Sequence, residues 1–496
     1  MTDSAAAAVL GFAVASPLAG LGLCLLVARR ASARQIAGVT FSASAFVLAG
    51  ILFWHVATTG TVIAEIGGWP APVGITLVAD RLAAGVMLVS ATVVLATHVF
   101  GIRTDRMESN WPNFHAAHVA LGGGLTLAFA SGDLFTLFVG FEVALMASYT
   151  LLTAAGPLPA GRSGLLYIVT NVLVSALFLI AIAAVYAVTG SLNMAAIATV
   201  WPTLGEPLRT GIGLLLLVTF ATKAAAFPLF GWLPGPYREA HPAIASVFAG
   251  LLTKLGVYAL FRTHTLFGLT GDSQAWVLAF IAGATMLGGV LAAYGQTEVR
   301  RILSFHITSQ VGYMLFGLAV LTEAALAGAV FYLLHHILVK TTLFMVAGMI
   351  ERDGGSGKLS EIGGMRATAP VLAILFALPA LSLAGIPPFS GFVAKLALVA
   401  ASIEAGAWVL LGVSLVTSLL TVLSMAKIWS GAFWGDVPDP APAVSEDTGR
   451  GTVAVAGLAA ASIVVALVAG PLLTYSQQAA TDLLDPGVYI GEVLPS

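Results

Sequence analysis

The chain has 496 residues, of which 59% are hydrophobic and 9% charged, with a formal net charge of −2. A water-soluble domain carries roughly 25% charged residues, so this composition cannot coat a soluble surface of such size, and the near-neutral balance offers nucleic acid nothing to bind. The single cysteine, Cys24, excludes an internal disulfide, a CxxC redox pair and a thiolate metal cage.

Apolar stretches close to the roughly 20 residues that a bilayer core demands recur along the chain. The first, 5–28, follows a start without a basic n-region and precedes Arg29, Arg30 and Arg34, so it reads as a retained first helix. A second stretch covers 35–57. Residues 67–80 (GGWPAPVGITLVAD) are too short and too rich in Gly and Pro to span, and an outer turn or short hairpin is expected there. Spans at 79–101 and 113–130 come next. His115 and His118 share a face near the start of the latter, which suits an interfacial role better than a metal site. Gly132 and Asp133 separate this span from 133–154, which carries Glu142.

After 163–188, residues 191–201 read as an amphipathic surface helix. The stretch 208–232 contains Lys223 and is interrupted by Pro228, with Pro234 just beyond, and 243–263 contains Lys254. Then come 274–294, 302–321 with His306, and 324–350 with His335, His336 and Lys340. The stretch 370–400 holds Gly385, Pro387, Pro388 and Gly391 ahead of Lys395. A span at 405–430 ends near Lys427, which is placed to snorkel. A polar inner loop follows at 436–450, then a last span at 452–474, and the tail beyond Tyr475 reads as an outer extension without a motif. The fold class expected is all-α integral membrane, with about fourteen transmembrane helices.

Loop charges orient this arrangement. With the first helix running outside to inside, Arg29, Arg30, Arg34, Arg103, Arg106, Arg162, Arg238, Arg300, Arg301, Arg352, Lys358, Arg366 and Arg450 fall inside, and only Arg209 and Arg262 outside. The positive-inside bias then puts both termini outside, in a multi-pass protein of the cell membrane.

Four of the six lysines lie within spans. A mid-helix lysine costs about 2.5–3.5 kcal/mol on insertion scales, and four together on the order of 10–14 kcal/mol. A hydrated interior lowers that cost, so Lys223, Lys254, Lys340 and Lys395 are expected to face one; snorkelling is the competing reading for Lys340. Glu142 stands as the carboxylate clearly at membrane depth and requires a cationic partner. A carboxylate beside an ammonium makes it hold its proton, and an ammonium alone in a dry site tends to release it. Such a line can load and unload protons, though a static ion pair has the same composition. His336 and Lys340 share a helix face, and for His336 a hydrogen-bonded core role and a relay role both fit.

Proline removes a backbone donor and frees carbonyls one turn back. Interrupted helices in corresponding positions of two halves point to a transport site. Pro228 and Pro388 are 160 residues apart, with five spans on either side of a junction. An odd number of helices per unit inverts the second copy. The expected organisation is three N-terminal helices at 1–112, five-helix repeats at 113–267 and 274–433, each with a broken helix, and 434–496 as inner loop, last span and tail.

The runs SGDLFTLFVGFEVALMASYTLL, KAAAFPLFGWLPGPY, LLTKLGVY, RRILSFHITSQVGYM, HHILVKTTLF and LAGIPPFSGFVAK occur in order within about 80–440. Together they resemble the antiporter-like subunits of respiratory complex I and of the Mrp cation/proton antiporters, and the length and the wording around Glu142 are most similar to the D-type Mrp subunits. The resemblance implies a proton-translocating subunit of a multisubunit Na⁺/H⁺ antiporter, with other membrane subunits as partners, no cofactor and no enzymatic activity of its own. It makes Glu142 the helix-five glutamate paired with the helix-seven lysine, Lys223. Lys254 becomes the helix-eight lysine and Lys395 the helix-twelve lysine, with His336 and Lys340 on the polar helix between. Thr136 and Tyr332 depart from the pattern, standing where asparagine and, in some relatives, histidine are found.

Two other readings remain. A redox subunit would need a nucleotide or cluster motif, and there is no GxGxxG after a strand and no cysteine cluster; redox chemistry could enter only through partners, as in a complex I-like or membrane hydrogenase assembly. A scaffold without transport would not need four buried lysines. Sodium prefers hard oxygen ligands, and Glu142 is already engaged, so the Na⁺ route is expected at a subunit boundary or in a partner.

Overall fold

The computed structural model describes residues 1–104, 111–153, 162–268, 272–436 and 451–494; Arg106 and Arg450, expected in inner loops, lie outside the described residues. Long apolar runs without internal breakers form the helices α1 (Asp3–Leu26), α2 (Ala31–Thr58), α3 (Arg81–Thr104), α4 (Phe114–Phe129), α5 (Leu134–Thr153) and α6 (Arg162–Thr189). A short α7 (Met194–Val200) precedes α8 (Glu206–Lys223), α9 (Pro234–Glu239), α10 (Pro242–Leu266), α11 (Asp272–Tyr294), α12 (Val299–Val320) and α13 (Glu323–Gly354). Then come α14 (Met365–Thr368), α15 (Pro370–Ala384), α16 (Ser390–Glu404), α17 (Trp408–Ala432), α18 (Thr452–Leu467), α19 (Ala469–Leu484) and α20 (Pro486–Val493).

Helix occurs at each of the fourteen expected places. Among the described residues, ten helices are long and apolar enough to cross a membrane, or eleven if α18 and α19 count as one bent span. The difference from fourteen has a physical origin. The helix α4 has only 16 residues, and the stretches 208–232 and 370–400 are broken where their prolines stand.

The helices most thoroughly sheathed by others carry the polar groups. All of the membrane-length window of α10 and of α13 is buried inside the protein, and 89% of that of α12, against about a third for α1 and α6. Only helices walled off from lipid by other helices can hold ionisable groups cheaply. The long α13 is set by its ends: the Thr322 side chain accepts from the Ala325 N–H at 3.2 Å, and Gly355 closes it at φ 72°. Glycines bring the inner helices together. A Cβ at Gly256 on α10 would fall on the backbone of Lys223 and Ala224, and one at Gly250 on the Thr341 hydroxyl of α13.

The 67–80 segment belongs to a hairpin, as expected: β1 (Val62–Glu65) pairs antiparallel with β2 (Thr76–Ala79), Val62 opposite Ala79. It is not a loose turn, because β2 is buried and its main chain bonds onward. Val78 N–H donates to Ala130 O at 2.7 Å and Gly132 N–H to Thr76 O at 2.9 Å, while Met194 N–H donates to Gly132 O at 2.9 Å. That last bond also corrects the surface helix at 191–201. Met194, Ala195, Ile197 and Ala198 of α7 are buried beside the hairpin, with Asn193 capping the helix.

The tail is likewise more than an extension. The chain bends by 78° between α18 and α19, so no straight helix runs through 452–474, and α19 packs on α3 and α13. Arg81 pairs with Asp482 at 2.6 Å, and the Tyr475 hydroxyl donates to Arg81 O at 2.6 Å. Arg262, expected in an outer loop, lies within α10, ahead of its last turn. It is buried, paired with Asp80 at 2.6 Å, and covered by the Tyr489 ring of α20. Asp80 and Asp133 are therefore buried carboxylates, both at helix ends of the hairpin side, whereas Glu142 is only partly buried.

Candidate functional site

Each interrupted helix has a lysine at its break. In α8, Lys223 is the last helical residue, and the freed groups beyond it find side-chain partners. Trp232 Nε1–H donates to Thr222 O at 2.9 Å and Phe227 N–H to Thr285 Oγ1 at 2.9 Å. In the second break, Gly385 takes φ 83° and α16 restarts at Ser390. Lys395 Nζ reaches back to donate to Leu383 O and Ala384 O, both at 3.1 Å, at the negative end of α15. The carbonyls that proline was expected to free are thus satisfied by the lysine itself.

Glu142 on α5 and Lys223 do not touch directly. The Ser175 hydroxyl on α6 donates to Glu142 Oε1 and accepts from Lys223 Nζ at 3.2 Å. Lys223 Nζ also approaches Asn171 O at 3.4 Å and Asn171 Oδ1 at 3.5 Å. The expected ion pair is therefore a three-membered bridge. Its signal in the sequence is Asn171 and Ser175, two polar residues four apart in an apolar helix, which sequence reasoning missed. Beside Lys223 and Asn171 lies a cavity of about 10 Å³, room for one water, that extends between Trp232 and Leu252 and Leu255 of α10.

Lys254, on α10, is fully buried and donates to Ala249 O at 2.8 Å and to Thr253 Oγ1 at 3.1 Å. Lys340 is fully buried on α13, which rules out snorkelling; its Nζ has no hydrogen-bond partner among the described residues, and the Phe344 ring lies 5.9 Å away. Among the described residues, His336, one turn before, has no hydrogen-bond partner for either ring nitrogen, and neither has His306 on α12. His335 points elsewhere, its Nδ1 lying 2.8 Å from Ser390 Oγ at the start of α16. Tyr332 stacks on His336 with centroids 6.1 Å apart and donates to Gln310 Oε1. It therefore packs against the cluster as a wall.

These groups form a series. Lys254 and Lys340 both lie within electrostatic reach of His336, Lys340 and Lys395 of His306, and Lys395 of His335. On the way from Lys223 towards Lys254, the water-sized cavity reaches Leu252 and Leu255 of α10, and Gly256 brings α8 and α10 into close contact. Lys427, at the rim, donates to Tyr294 O and Gln296 O at 2.8 and 2.7 Å and caps α11.

His115 and His118 are not interfacial. Both are fully buried with His98 between α2, α3 and α4. Among the described residues no group of three or more His, Cys, Asp or Glu is arranged to hold a metal ion.

Residues 131–421 match the family described as NADH:quinone oxidoreductase/Mrp antiporter, transmembrane. The chain is 42% identical over 440 residues to the D-type subunit of the Na⁺/H⁺ antiporter of Alkalihalophilus pseudofirmus, with 88% of this chain and 89% of that one covered. It superposes on a chain of the Mrp complex from Dietzia sp. with a TM-score of 0.90 at 32% identity, each covered in full. A chain of the membrane-bound sulfane sulfur reductase, an archaeal respiratory membrane complex, gives 0.91 at 25% identity, with 98% and 100% covered.

Proposed function

We infer the function from one premise: this chain belongs to the NADH:quinone oxidoreductase/Mrp antiporter transmembrane family. It is an all-α, multi-pass membrane protein, a transporter subunit and not an enzyme, built to work with other membrane subunits. In that setting it is the D-type, proton-translocating component of a multisubunit Na⁺/H⁺ antiporter.

The observation that carries the mechanism is the buried series from Glu142 through Ser175 and Lys223 to Lys254, His336, Lys340 and Lys395. Four ammonium groups are buried, two of them on α10 and α13, which other helices wall off, and the members at its centre, Lys340 and His336, have no hydrogen-bond partner among the described residues. Buried polar groups are rarely left unsatisfied, so ordered water is the partner that remains for them. A proton passes along such a line because each site alternates between a charged donor and a neutral acceptor. The hydroxyl of Ser175 couples the ends of its first step: when Glu142 is ionised it draws the Ser175 proton, and the hydroxyl oxygen then favours Lys223 as an ammonium. When Glu142 is neutral, Lys223 more readily yields its proton towards the cavity and Lys254.

Two five-helix units, 113–267 and 274–433, are supported by their parallel construction. Each opens with a helix pair packed backbone to backbone through glycine, Gly124 and Gly140 between α4 and α5, Gly289 and Gly312 between α11 and α12. Each has its broken helix fourth. The plasma membrane, with both termini outside, is the placement that the loop charges favour. The line offers amines and a single engaged carboxylate, so this subunit carries protons, and sodium crosses at a subunit boundary or in a partner.

The test is antiport in everted vesicles from cells expressing the whole complex. Glu142→Ala, Lys223→Ala and Lys395→Ala each abolish it while the complex assembles; normal antiport in an assembled Lys223→Ala complex overturns the assignment. The likeness to a chain of a respiratory reductase complex favours one second reading, a proton pump powered by a redox partner. Neighbouring genes for small membrane antiporter subunits support the first, and genes for redox subunits the second.

A further inference from the structure

The proton line leaves one cluster of buried titratable groups unused, between α2, α3 and α4. His98 Nε2 lies 2.8 Å from His115 Nδ1, and His98 Nδ1 lies 2.8 Å from Ser42 Oγ. Gly38 makes room for this contact, since a Cβ there would meet His98 Cε1 at 2.8 Å and His115 Cβ at 3.1 Å. The third ring, His118, has its centroid 4.7 Å from that of His98; its Nε2 lies 3.0 Å from Val94 O, an acceptor only, so this nitrogen carries the proton. His118 Nδ1 then holds a lone pair and has no hydrogen-bond partner among the described residues.

The contacts of His98 serve both of its protonation states. A neutral imidazole has one donor and one acceptor, and an imidazolium has two donors. Both ring nitrogens of His98 face groups able to accept, the Ser42 hydroxyl oxygen and the His115 Nδ1 lone pair. Neutral, His98 donates from Nε2 to that lone pair and accepts the Ser42 hydroxyl proton at Nδ1; a proton arriving on it makes Nδ1 a donor to the same oxygen, with only the hydroxyl turning and no movement of the rings. Polar groups continue the row on both sides. Ser42 lines a cavity of about 10 Å³ together with Ser90 and Thr126, wide enough for one water. At the other side the cluster approaches Arg34 at the start of α2, and Arg34 and Cys24 of α1 face it from the helices packed against it.

We propose that His98, held between Ser42 and His115 where the N-terminal helices meet α4, is a proton-holding site separate from the lysine line. The experiment is hydrogen–deuterium exchange at imidazole C2, resolved for each histidine by mass spectrometry, on the purified assembled complex. The expected result is a sigmoidal profile for His98 between about pH 5 and about pH 9. Ser42→Ala removes one acceptor of the charged form and moves the midpoint down by about one pH unit. His115→Ala does the same from the other nitrogen and serves if the serine variant fails to assemble. The profile persists in a Lys223→Ala complex, which separates this site from the fate of the lysine line. A flat His98 profile in an assembled complex overturns the proposal, as does a midpoint that neither substitution moves.

Discussion

The ammonium of Lys395 donates to the carbonyl of Ala384 at 3.1 Å, across the break that separates α15 from α16. A residue that the family resemblance marks for proton transfer is thus also the cap of a broken helix. While protonated it neutralises the negative end of α15; deprotonated, it retains two donors but loses the charge that favours this contact. Local geometry at the break and the charge state of the line are coupled through this one side chain. Replacing Lys395 with Met keeps the apolar stem and leaves the carbonyls of Leu383 and Ala384 without their donor. Antiport is lost, and the assembled complex is less stable by about 1–3 kcal/mol, read as a lower melting temperature in detergent.

Ser175 supplies the sharpest test of the Glu142–Lys223 coupling. Ser175→Ala removes the shared hydroxyl while leaving both charged groups in place. Antiport falls by about tenfold or more, because proton relay through a positioned group contributes at least that much, while complex assembly is unchanged. Ser175→Thr restores the hydroxyl and much of the rate. An alanine variant with full activity would show that Glu142 and Lys223 communicate without Ser175.

Gly256 sets the distance between α8 and α10 where the line crosses from Lys223 towards Lys254. A Cβ there would collide with backbone atoms of Lys223 and Ala224, which cannot rotate away as a side chain end could. Gly256→Ala destabilises the protein by about 1–3 kcal/mol and slows antiport through displacement of Lys223. Gly211, with open space around its Cα, is the control, and Gly211→Ala leaves both properties intact.

How far the sequence could be read depended on whether the cause was local. The two helix breaks were legible because Pro228, Pro387 and Pro388 act on their own backbone, and Gly391 is fixed by the Ser382 carbonyl against which it packs. The four lysines were legible because an ammonium is conspicuous in an apolar run. Ser175 was not, since a hydroxyl in a membrane helix can satisfy itself on the preceding turn and leaves no imbalance to notice. The bend after Leu467 had a mark in Gly470 and Pro471 of the first turn of α19, but hydropathy alone carried the span through them. Arg262 was misread because near a helix end an arginine reads as a loop charge. Its partner, Asp80, stands 182 positions earlier, and only the tertiary structure brings the two together.

That pair leads to a further expectation. Arg262 and Asp80 are both buried, Arg262 lies between the Tyr258 and Tyr489 rings with centroids 5.6 and 5.0 Å away, and α10 connects it to Lys254 two turns before. Removing one member of a buried pair strands the other as an uncompensated charge, at a cost of about 3–5 kcal/mol. Asp80→Ala therefore lowers the melting temperature of the complex far more than Arg81→Ala does, since the Arg81–Asp482 pair is about a quarter exposed and such pairs contribute about 0–1 kcal/mol. Adding Arg262→Met to Asp80→Ala recovers most of the loss, because the stranded charge is gone and an unbranched apolar chain fills the space between the tyrosines. If the double variant is no more stable than Asp80→Ala alone, the damage lies in the packing of the hairpin end and the ion pair is not its cause.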